Sequence, residues 1–442
     1  MSSFGRQLLS AALAGALVAG SAGAQLLPAV QLPPVNLPVG QVPPAADVLQ
    51  SILSQPEARQ AIKPTLDSVS GLSEQLAESG PASLLDLRRL RLQQLIGDNR
   101  RELEAVEGGV PARRGVLVAI DPDPATLQAA TRGGFRVIDD STDAALALRL
   151  VQLAVPGNMS ARDGLRRLRR IAPRIEADYD HVFEPAGGAL LPAAVALAAQ
   201  ASGGGGPAIG MIDGGVASHP SLSGASIEQQ GFAGSPQATG HGTAIASLIV
   251  GNHGPFRGAA RNASLLVADV YGGNRAAGSA TAVTRALGWL AAKRPGVINI
   301  SLVGPANRLV ARAVAAVQAR GIAVVAAVGN DGPAAPPQYP ASYPGVVAVT
   351  GVDGKGRALV EAGKAAHLDF AAPGADMAAA LPGQGYSRVR GTSFAAPFVA
   401  ARLATTGSAQ RLAAEARPGR GRVGGGIVCG ACRVEPKAVG AK

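Results

Sequence analysis

Short, predominantly apolar segments alternate with alanine-rich helical segments from Pro207 onward. The apolar segments include AIGMID, SLLVADVY, GVINISL, AVVAAVGN and VVAVTGV. A strand that is exposed on one face alternates between apolar and polar residues, whereas a strand covered on both faces is apolar throughout. The pattern therefore predicts an α/β fold, a doubly wound and mainly parallel sheet with helices on both faces. Because ligands of such sheets bind beyond the carboxyl ends of the strands, functional residues are expected where these segments end.

Polar side chains occur where these segments end and where the helices after them begin. They are Asp213, His241, Asn299, Ser301, Asn330 and Ser393. Each has an ordinary structural alternative, because such residues also serve as helix caps, turn residues or buried hydrogen-bonded histidines. Their joint occurrence at one edge of a predicted sheet favours a catalytic site over those separate alternatives.

The residue types match the needs of nucleophilic catalysis by a hydroxyl group. A serine is a weak nucleophile at neutral pH unless a base such as histidine accepts its proton. The imidazole in turn needs a carboxylate that fixes its tautomer, and the oxyanion formed by attack needs hydrogen-bond donors. Ser393 begins a predicted helix, where the backbone N–H groups have no partner within the helix and the helix dipole favours negative charge.

Four segments, MIDGGV, GHGTAIAS, AAVGNDG and GTSFAAPFVA, resemble the subtilisin-like serine peptidases, and the resemblance extends over residues 207–403. It implies that Asp213 orients the imidazole and that His241 is first base and then acid. It also implies that Ser393 is the nucleophile and that Asn330 stabilises the oxyanion. The corresponding domain is predicted at residues 207–405.

The same resemblance implies that Ser301, Leu302 and Gly304 bind the substrate backbone by adding it as a strand. Two positions depart from the family pattern, because Gly214 replaces a residue that often carries a hydroxyl and Phe398 replaces a common histidine. Neither departure removes a predicted catalytic atom.

Residues 113–184 have a different pattern, which predicts the element order β-α-β-β-α-β of a split βαβ domain. Ser160 is the expected N-cap of its second helix. By the resemblance this α+β domain is a prodomain that inhibits the site with its C-terminal tail, YDHVFEP. Residues 185–206 are then the processing linker, and we expect the precursor to cleave itself there.

The N-terminal residues predict export. Arg6 precedes an uncharged apolar run that ends in Ala22-Gly23-Ala24, which is typical of a secretory signal peptide at residues 1–24. The alternative is an uncleaved anchor, but the run is shorter than the ~20 residues that a membrane span needs. The expected location is therefore periplasmic or extracellular, without a stable membrane span after cleavage.

Residues 25–112 contain a proline-rich segment and two helical patterns. The helices are predicted near Ala46–Ile62 and Ala82–Leu103, and the second has an apolar face interrupted by arginines. This pattern suits a helix that lies on another surface. The function of residues 25–112 is not indicated by their sequence.

Charge and cysteine content add limited information. The net charge of +11 would permit binding to nucleic acid. No aromatic-interleaved basic motif accompanies the basic clusters, so most of this charge is interpreted as solvated surface and no nucleic acid partner is expected. The resemblance implies protein or peptide substrates, with the chain's own prodomain as an intramolecular inhibitor. Cys429 and Cys432 form a CxxC pair. The sequence is compatible with a local disulfide between them and with two unpaired cysteines. Residues 406–442 form a C-terminal tail, in which the segment RPGRGRVGGG, residues 417–426, is expected to be flexible.

No cofactor and no metal ion are predicted for the catalytic site. The segment at residues 251–261 contains neither Asp nor Glu. Calcium requires several oxygen ligands, so no calcium is expected at this segment. The sequence makes no prediction about calcium sites elsewhere in the chain.

The sequence as a whole predicts an exported serine endopeptidase that acts through an acyl-enzyme and is made as a self-processed precursor. Two alternatives remain: a catalytically silent binding module with the same fold, and an envelope-interaction protein whose N-terminal region is the functional part.

Overall fold

The computed structural model describes residues 81–186, 197–198, 205–383 and 385–441, which all belong to one compact unit, Pro64–Lys442. The predicted signal peptide, the proline-rich segment and the helix expected at Ala46–Ile62 lie outside the described residues, as does most of the predicted linker. We refer to residues 81–186 as the N-terminal region and to residues 205–441 as the C-terminal region.

The N-terminal region contains a long helix followed by a small α+β domain. Its elements are α1 (Pro81–Asp98), β1 (Leu103–Ala105), β2 (Pro111–Ile120), α2 (Pro124–Arg132), β3 (Arg136–Asp143), β4 (Leu148–Ala154), α3 (Ala161–Ile171) and β5 (Glu176–His181). The strands form an antiparallel sheet in the order β3-β4-β2-β5, and β1 also pairs with β2. The predicted β-α-β-β-α-β order is observed, and the Ser160 side chain caps α3 as expected. Helix α1 ends before the predicted limit at Leu103, because the chain turns at Asn99 and enters β1.

The C-terminal region consists of a central sheet, two helices on each face and several short hairpins. The strands of this part, and the short strand that precedes it, are β6 (Glu184–Pro185), β7 (Ala208–Asp213), β8 (Ser226–Gly231), β9 (Asn252–His253), β10 (Phe256–Arg257), β11 (Ser264–Asp269), β12 (Val297–Ile300), β13 (Leu302–Val303), β14 (Ala323–Ala327), β15 (Val347–Val352), β16 (Phe370–Pro373), β17 (Met377–Ala380) and β18 (Tyr386–Val389). The helices are α4 (Gly240–Val250), α5 (Ala280–Lys293), α6 (Arg308–Ala319), α7 (Thr392–Thr406) and α8 (Ala409–Glu415).

The central sheet has seven parallel strands in the order β8-β11-β7-β12-β14-β15-β16. Side chains of one strand point alternately to the two layers: Ile209 and Met211 pack with α4 and α7, whereas Ile212 packs with α5 and α6. Both faces of the sheet are therefore covered, and the uniformly apolar strand sequences follow from this burial. The predicted doubly wound α/β fold is confirmed.

The N-terminal region packs on the two helices of one face of the sheet. Asp180 of β5 accepts a hydrogen bond from the N–H of Thr281 (2.9 Å), at the start of α5. Asp178 accepts one from the N–H of Arg308 (2.9 Å), at the start of α6. Carboxylates at helix N-termini satisfy free N–H groups and interact favourably with the helix dipoles, so β5 stabilises both helix starts beside their N-caps, Ser279 and Asn307.

The expected flexibility of residues 417–426 is wrong, because the segment is hydrogen-bonded to the rest of the region: the Arg420 N–H donates to the Gly356 carbonyl (2.9 Å) and the Gly425 N–H to the Asp369 carbonyl (2.7 Å). Val428 is fully buried in the core, and its N–H donates to the carbonyl of Ala371 (2.7 Å) in β16. Cys429 and Cys432 form a disulfide. The glycine-rich composition suggested mobility, but these backbone hydrogen bonds at the sheet edge hold the segment in place.

None of the helices in the described part of the chain combines the length and the apolar character that a membrane crossing requires.

Candidate active site

Three polar side chains that are far apart in the sequence form one hydrogen-bonded line. The Nδ1 atom of His241 lies 2.9 and 2.8 Å from the two carboxylate oxygens of Asp213. Its Nε2 atom lies 3.1 Å from the hydroxyl oxygen of Ser393. All three residues are buried. The line has the geometry by which a base accepts a hydroxyl proton while a carboxylate stabilises the resulting imidazolium.

The local fold of each element explains this convergence. Asp213 ends β7, and His241 lies in the first turn of α4, whose N-cap is Thr239. A side chain at position 214 would meet Thr239, because the Thr239 hydroxyl lies 2.4 Å from the place of its Cβ atom. This contact explains why Gly214 follows Asp213 in this chain. The strand end and the helix start can therefore approach closely enough for the carboxylate to reach the imidazole.

Ser393 lies in the first turn of α7, and Pro397 is inside the same helix. A proline has no N–H, so the carbonyl of Ser393 lacks the usual donor four residues later. The hydroxyl of Ser301 donates to that carbonyl (2.9 Å) and accepts a hydrogen bond from the Asn299 amide (3.0 Å). The residue after β12 thus holds the backbone of Ser393, and the four-residue spacing of Ser393 and Pro397 indicates from sequence that this carbonyl needs another donor.

Asn330 follows β14, and its side-chain amide faces the same site. Its Oδ1 atom accepts a hydrogen bond from the N–H of Thr392 (3.0 Å), which fixes the orientation of the amide. Its Nδ2 atom then points the other way and donates to the carbonyl of Ala186. The Asn330 amide can therefore act as a fixed donor to a carbonyl oxygen at this site.

The segment Val182–Ala186, which we call the tail segment, occupies the site as an added strand. Its strand β6 pairs antiparallel with β13, with Glu184 opposite Val303 and Pro185 opposite Leu302. The N–H of Ala186 donates to the Ser301 carbonyl (2.9 Å). The tail segment thus runs along β13 as an added strand, and its Ala186 carbonyl accepts from Asn330.

The three predicted substrate-binding residues all lie beside the tail segment. Leu302 pairs with Pro185, and the Ser301 backbone pairs with Ala186. Gly304 lies against the ring of Phe183, which comes within 2.5 Å of the place where a Cβ atom of residue 304 would be. A larger residue at position 304 would exclude that ring.

Charged groups that sequence reasoning missed surround the tail segment. Glu184 is buried and accepts hydrogen bonds from Arg275 (2.9 Å) and from Arg91 of α1 (3.3 Å). Arg91 also donates to Asp331 (2.9 Å), the residue after Asn330. Arginine-rich spacing in α1 was visible in the sequence, but the acidic partners were not identifiable from it.

Within the described residues, no three His, Cys, Asp or Glu side chains lie together in an arrangement that could hold a metal ion.

Comparisons with known proteins match the C-terminal region. The model of the subtilase family, Peptidase_S8, matches residues 204–416. An alkaline protease of Alkalihalobacillus alcalophilus is 33% identical over 202 residues, which cover 45% of this chain and 53% of that protein. Subtilisin Savinase of Lederbergia lenta is 33% identical over 202 residues, which cover 45% of this chain and 74% of that protein. The match thus spans about half the length of the first relative and about three quarters of the second.

Among solved structures, fervidolysin from Fervidobacterium pennivorans, a keratinolytic enzyme related to subtilisin, has a similar fold. The TM-score is 0.60 at 18% sequence identity, and the match covers 74% of this chain and 61% of that chain. At this identity the likeness concerns the fold alone.

Proposed function

Because this chain belongs to the subtilase family, we propose that it is a serine endopeptidase that hydrolyses peptide bonds through an acyl-enzyme. The observation that carries the proposal is the hydrogen-bonded line of Asp213, His241 and Ser393 beside the Asn330 amide. Proteins or peptides are the proposed substrates.

In the proposed mechanism the Ser393 hydroxyl attacks the carbonyl carbon of the scissile bond while Nε2 of His241 accepts its proton. Asp213 stabilises the imidazolium that forms. The negative charge on the former carbonyl oxygen is held by the Asn330 amide and by the Ser393 N–H in the first turn of α7. His241 then donates its proton to the leaving amine, and a water molecule hydrolyses the acyl-enzyme by the same steps in reverse.

We further propose that the precursor cleaves itself between Ala186 and Gly187. The Ala186 carbonyl accepts a hydrogen bond from Asn330, which is the contact that a scissile carbonyl needs. The tail segment is bound along β13 in the manner of a substrate, so it would remain as an inhibitor after cleavage. The α+β domain at residues 113–184 then acts as a prodomain.

Export is also a proposal. It depends on the predicted signal peptide at residues 1–24, which lies outside the described residues. The Cys429–Cys432 disulfide supports an oxidising compartment, because disulfides persist mainly outside the cytosol.

A fluorophosphonate probe tests the proposed activity, because it reacts covalently with an activated serine. We expect the purified protein to label on Ser393, as mapped by mass spectrometry of the peptides, and the variant Ser393→Ala to take up no label. Because the tail segment would keep an active site covered, a folded wild-type protein supports the alternative of a silent binding module only if it stays unlabelled and also stays uncleaved.

Release of the cleaved N-terminal fragment is expected to depend on pH through His181. Nδ1 of this buried residue accepts a hydrogen bond from the Asn307 amide (3.0 Å), which requires an unprotonated nitrogen. Burial lowers the pKa of His181, although the Asp178 and Glu107 carboxylates partly oppose this. Release exposes His181 to water and removes part of this lowering of its pKa, so the released fragment binds more protons than the complex as the pH falls below the ordinary histidine pKa of about 6.5. Binding is therefore complete above that value and weakens below it.

The measurement is the fraction of cleaved fragment that co-elutes with the catalytic part in size-exclusion chromatography at pH 7.5 and pH 5.5. We expect severalfold less co-elution at pH 5.5, and a much smaller difference in the variant His181→Asn. Burial raises the pKa of Asp180, so protonation of that carboxyl acts in the opposite direction and the variant isolates the histidine. Equal pH dependence in the variant would exclude His181 as the cause.

A further inference from the structure

Helix α1 places two arginines against acidic groups at the candidate active site. Arg88 donates to one carboxylate oxygen of Asp331 (3.1 Å), and Arg91 donates to the other (2.9 Å). Arg91 also donates to Glu184 of the tail segment (3.3 Å). The acidic side chains of Asp331 and Glu184 are each only 5% exposed. Arg91 therefore joins the tail segment to the catalytic part of the chain at the residue next to Asn330.

Apolar contacts place the same helix over the tail segment. Leu84 is buried and lies beside Gly332, with its Cδ1 atom 2.7 Å from the place where a Cβ atom of residue 332 would be. Leu95 shares a small buried cluster with Val182 of the tail segment and with Ala276. The tail segment is thus bound by β13 and is also contacted by α1.

Through its charge, Arg91 links the contact of α1 with the tail segment to the contact of α1 with Asp331. With Arg91 in place, the two buried carboxylates share one guanidinium group, and their attraction raises the pKa of Arg91 although burial alone would lower it. Without Arg91, Glu184 keeps Arg275 and Asp331 keeps Arg88. The two carboxylates would then face each other across the space that the guanidinium had occupied. Removal of one partner from a buried charge pair weakens binding mainly by speeding dissociation.

We propose that Asp331, Gly332 and Ala276 form a docking surface for an arginine-bearing helix, and that α1 of the same chain is its ligand. In this role α1 is a second inhibitory element, which holds the tail segment in the site after cleavage. The proposal rests on the proposed peptidase function and deepens it, because inhibition then requires a helix outside the α+β domain.

Variants of α1 test this in the full-length chain. All of α1 precedes Ala186, so self-cleavage removes the substitution and every variant yields a catalytic part of identical sequence. In Arg91→Ala we expect the lag before peptide hydrolysis appears to shorten about tenfold or more, as expected for faster dissociation of a truncated buried pair. The matched control is Arg89→Ala on the same helix, because the Arg89 side chain is 70% exposed and pairs with Asp86 within α1. The control should keep the wild-type lag.

An unchanged lag in Arg91→Ala, with cleavage at the wild-type rate, overturns the proposal. If Arg91→Ala yields no cleaved fragment, Arg88→Ala is used with the same criteria, because Arg88 donates to Asp331, whereas Glu184 of the tail segment accepts from Arg91 and Arg275. A second measurement does not depend on catalysis. It is the amide hydrogen exchange of residues 81–98, measured in chains that also carry Ser393→Ala. Exchange should rise with Arg91→Ala and stay constant with Arg89→Ala, and equal exchange in the two overturns the docking. A wild-type chain that neither cleaves itself nor takes up the fluorophosphonate probe refutes the peptidase function, whereas the exchange experiment still decides on the docking.

Discussion

Replacing His241 with alanine is expected to lower kcat for peptide hydrolysis by about 10⁶, the size observed when the base of such a triad is removed. The reason is that Nε2 of His241 is the atom within hydrogen-bonding distance of the Ser393 hydroxyl, 3.1 Å away, so the variant has no base for the nucleophile. Self-cleavage needs the same proton transfer. The variant chain should therefore stay intact, while the wild-type chain yields a fragment that ends at Ala186, measured by intact mass.

The control is His253→Ala, because His253 is exposed in the hairpin of β9 and β10. It should cleave itself and hydrolyse peptides at the wild-type rate. Circular dichroism and thermal unfolding establish that His241→Ala is folded. A folded His241→Ala chain that is still cleaved at Ala186 when it is expressed alone would contradict the proposed mechanism.

The sheet and the residues at its edge were predictable from the sequence for one physical reason. Strands covered on both faces are mainly apolar along their length, so a polar residue such as Asp213 marks the place where a strand ends. Parallel strands end at the same edge, so Asp213 and Asn330, which follow different strands, were expected to lie near each other. His241 and Ser393 were found because each begins a helix in a small-residue context.

The position of the tail segment was not predictable, because its register depends on contacts with no sequence pattern. The linker after Glu184 contains many alanines and glycines, so composition does not tell which carbonyl meets Asn330. In the structure that carbonyl belongs to Ala186, since Glu184 is opposite Val303 in the short pairing of β6 and β13.

The role of α1 could not be predicted from the sequence, for a similar reason. The separation of three residues between Arg88 and Arg91 indicates that both lie on one helix face. It does not indicate which residues the face contacts, because Asp331 is 240 or more residues away in the chain. Long-range charge pairs of this kind depend on tertiary packing, which local sequence patterns do not encode.

Replacing Asn330 with alanine is expected to lower kcat by about 10²–10³ and to change KM little. The Asn330 amide donates to the carbonyl of Ala186, and the negative charge on that oxygen grows only as the tetrahedral intermediate forms. Its loss therefore raises the barrier more than it weakens substrate binding. Steady-state kinetics on a peptide that ends in Phe-Glu-Pro-Ala before the scissile bond, with the activated enzyme, measures both constants.

Alanine at position 330 also removes the acceptor for the Thr392 N–H, so a second variant has to separate the two effects. Asn330→Asp keeps an oxygen that can accept from Thr392, but it replaces the amide donor with a carboxylate oxygen. If the donor is what matters, kcat of Asn330→Asp should fall at least as far as that of Asn330→Ala, because a negative group then faces the developing oxyanion. If the contact with Thr392 is what matters, the aspartate should restore activity. Recovery of kcat in Asn330→Asp would therefore show that Asn330 positions α7 and does not act mainly by stabilising negative charge.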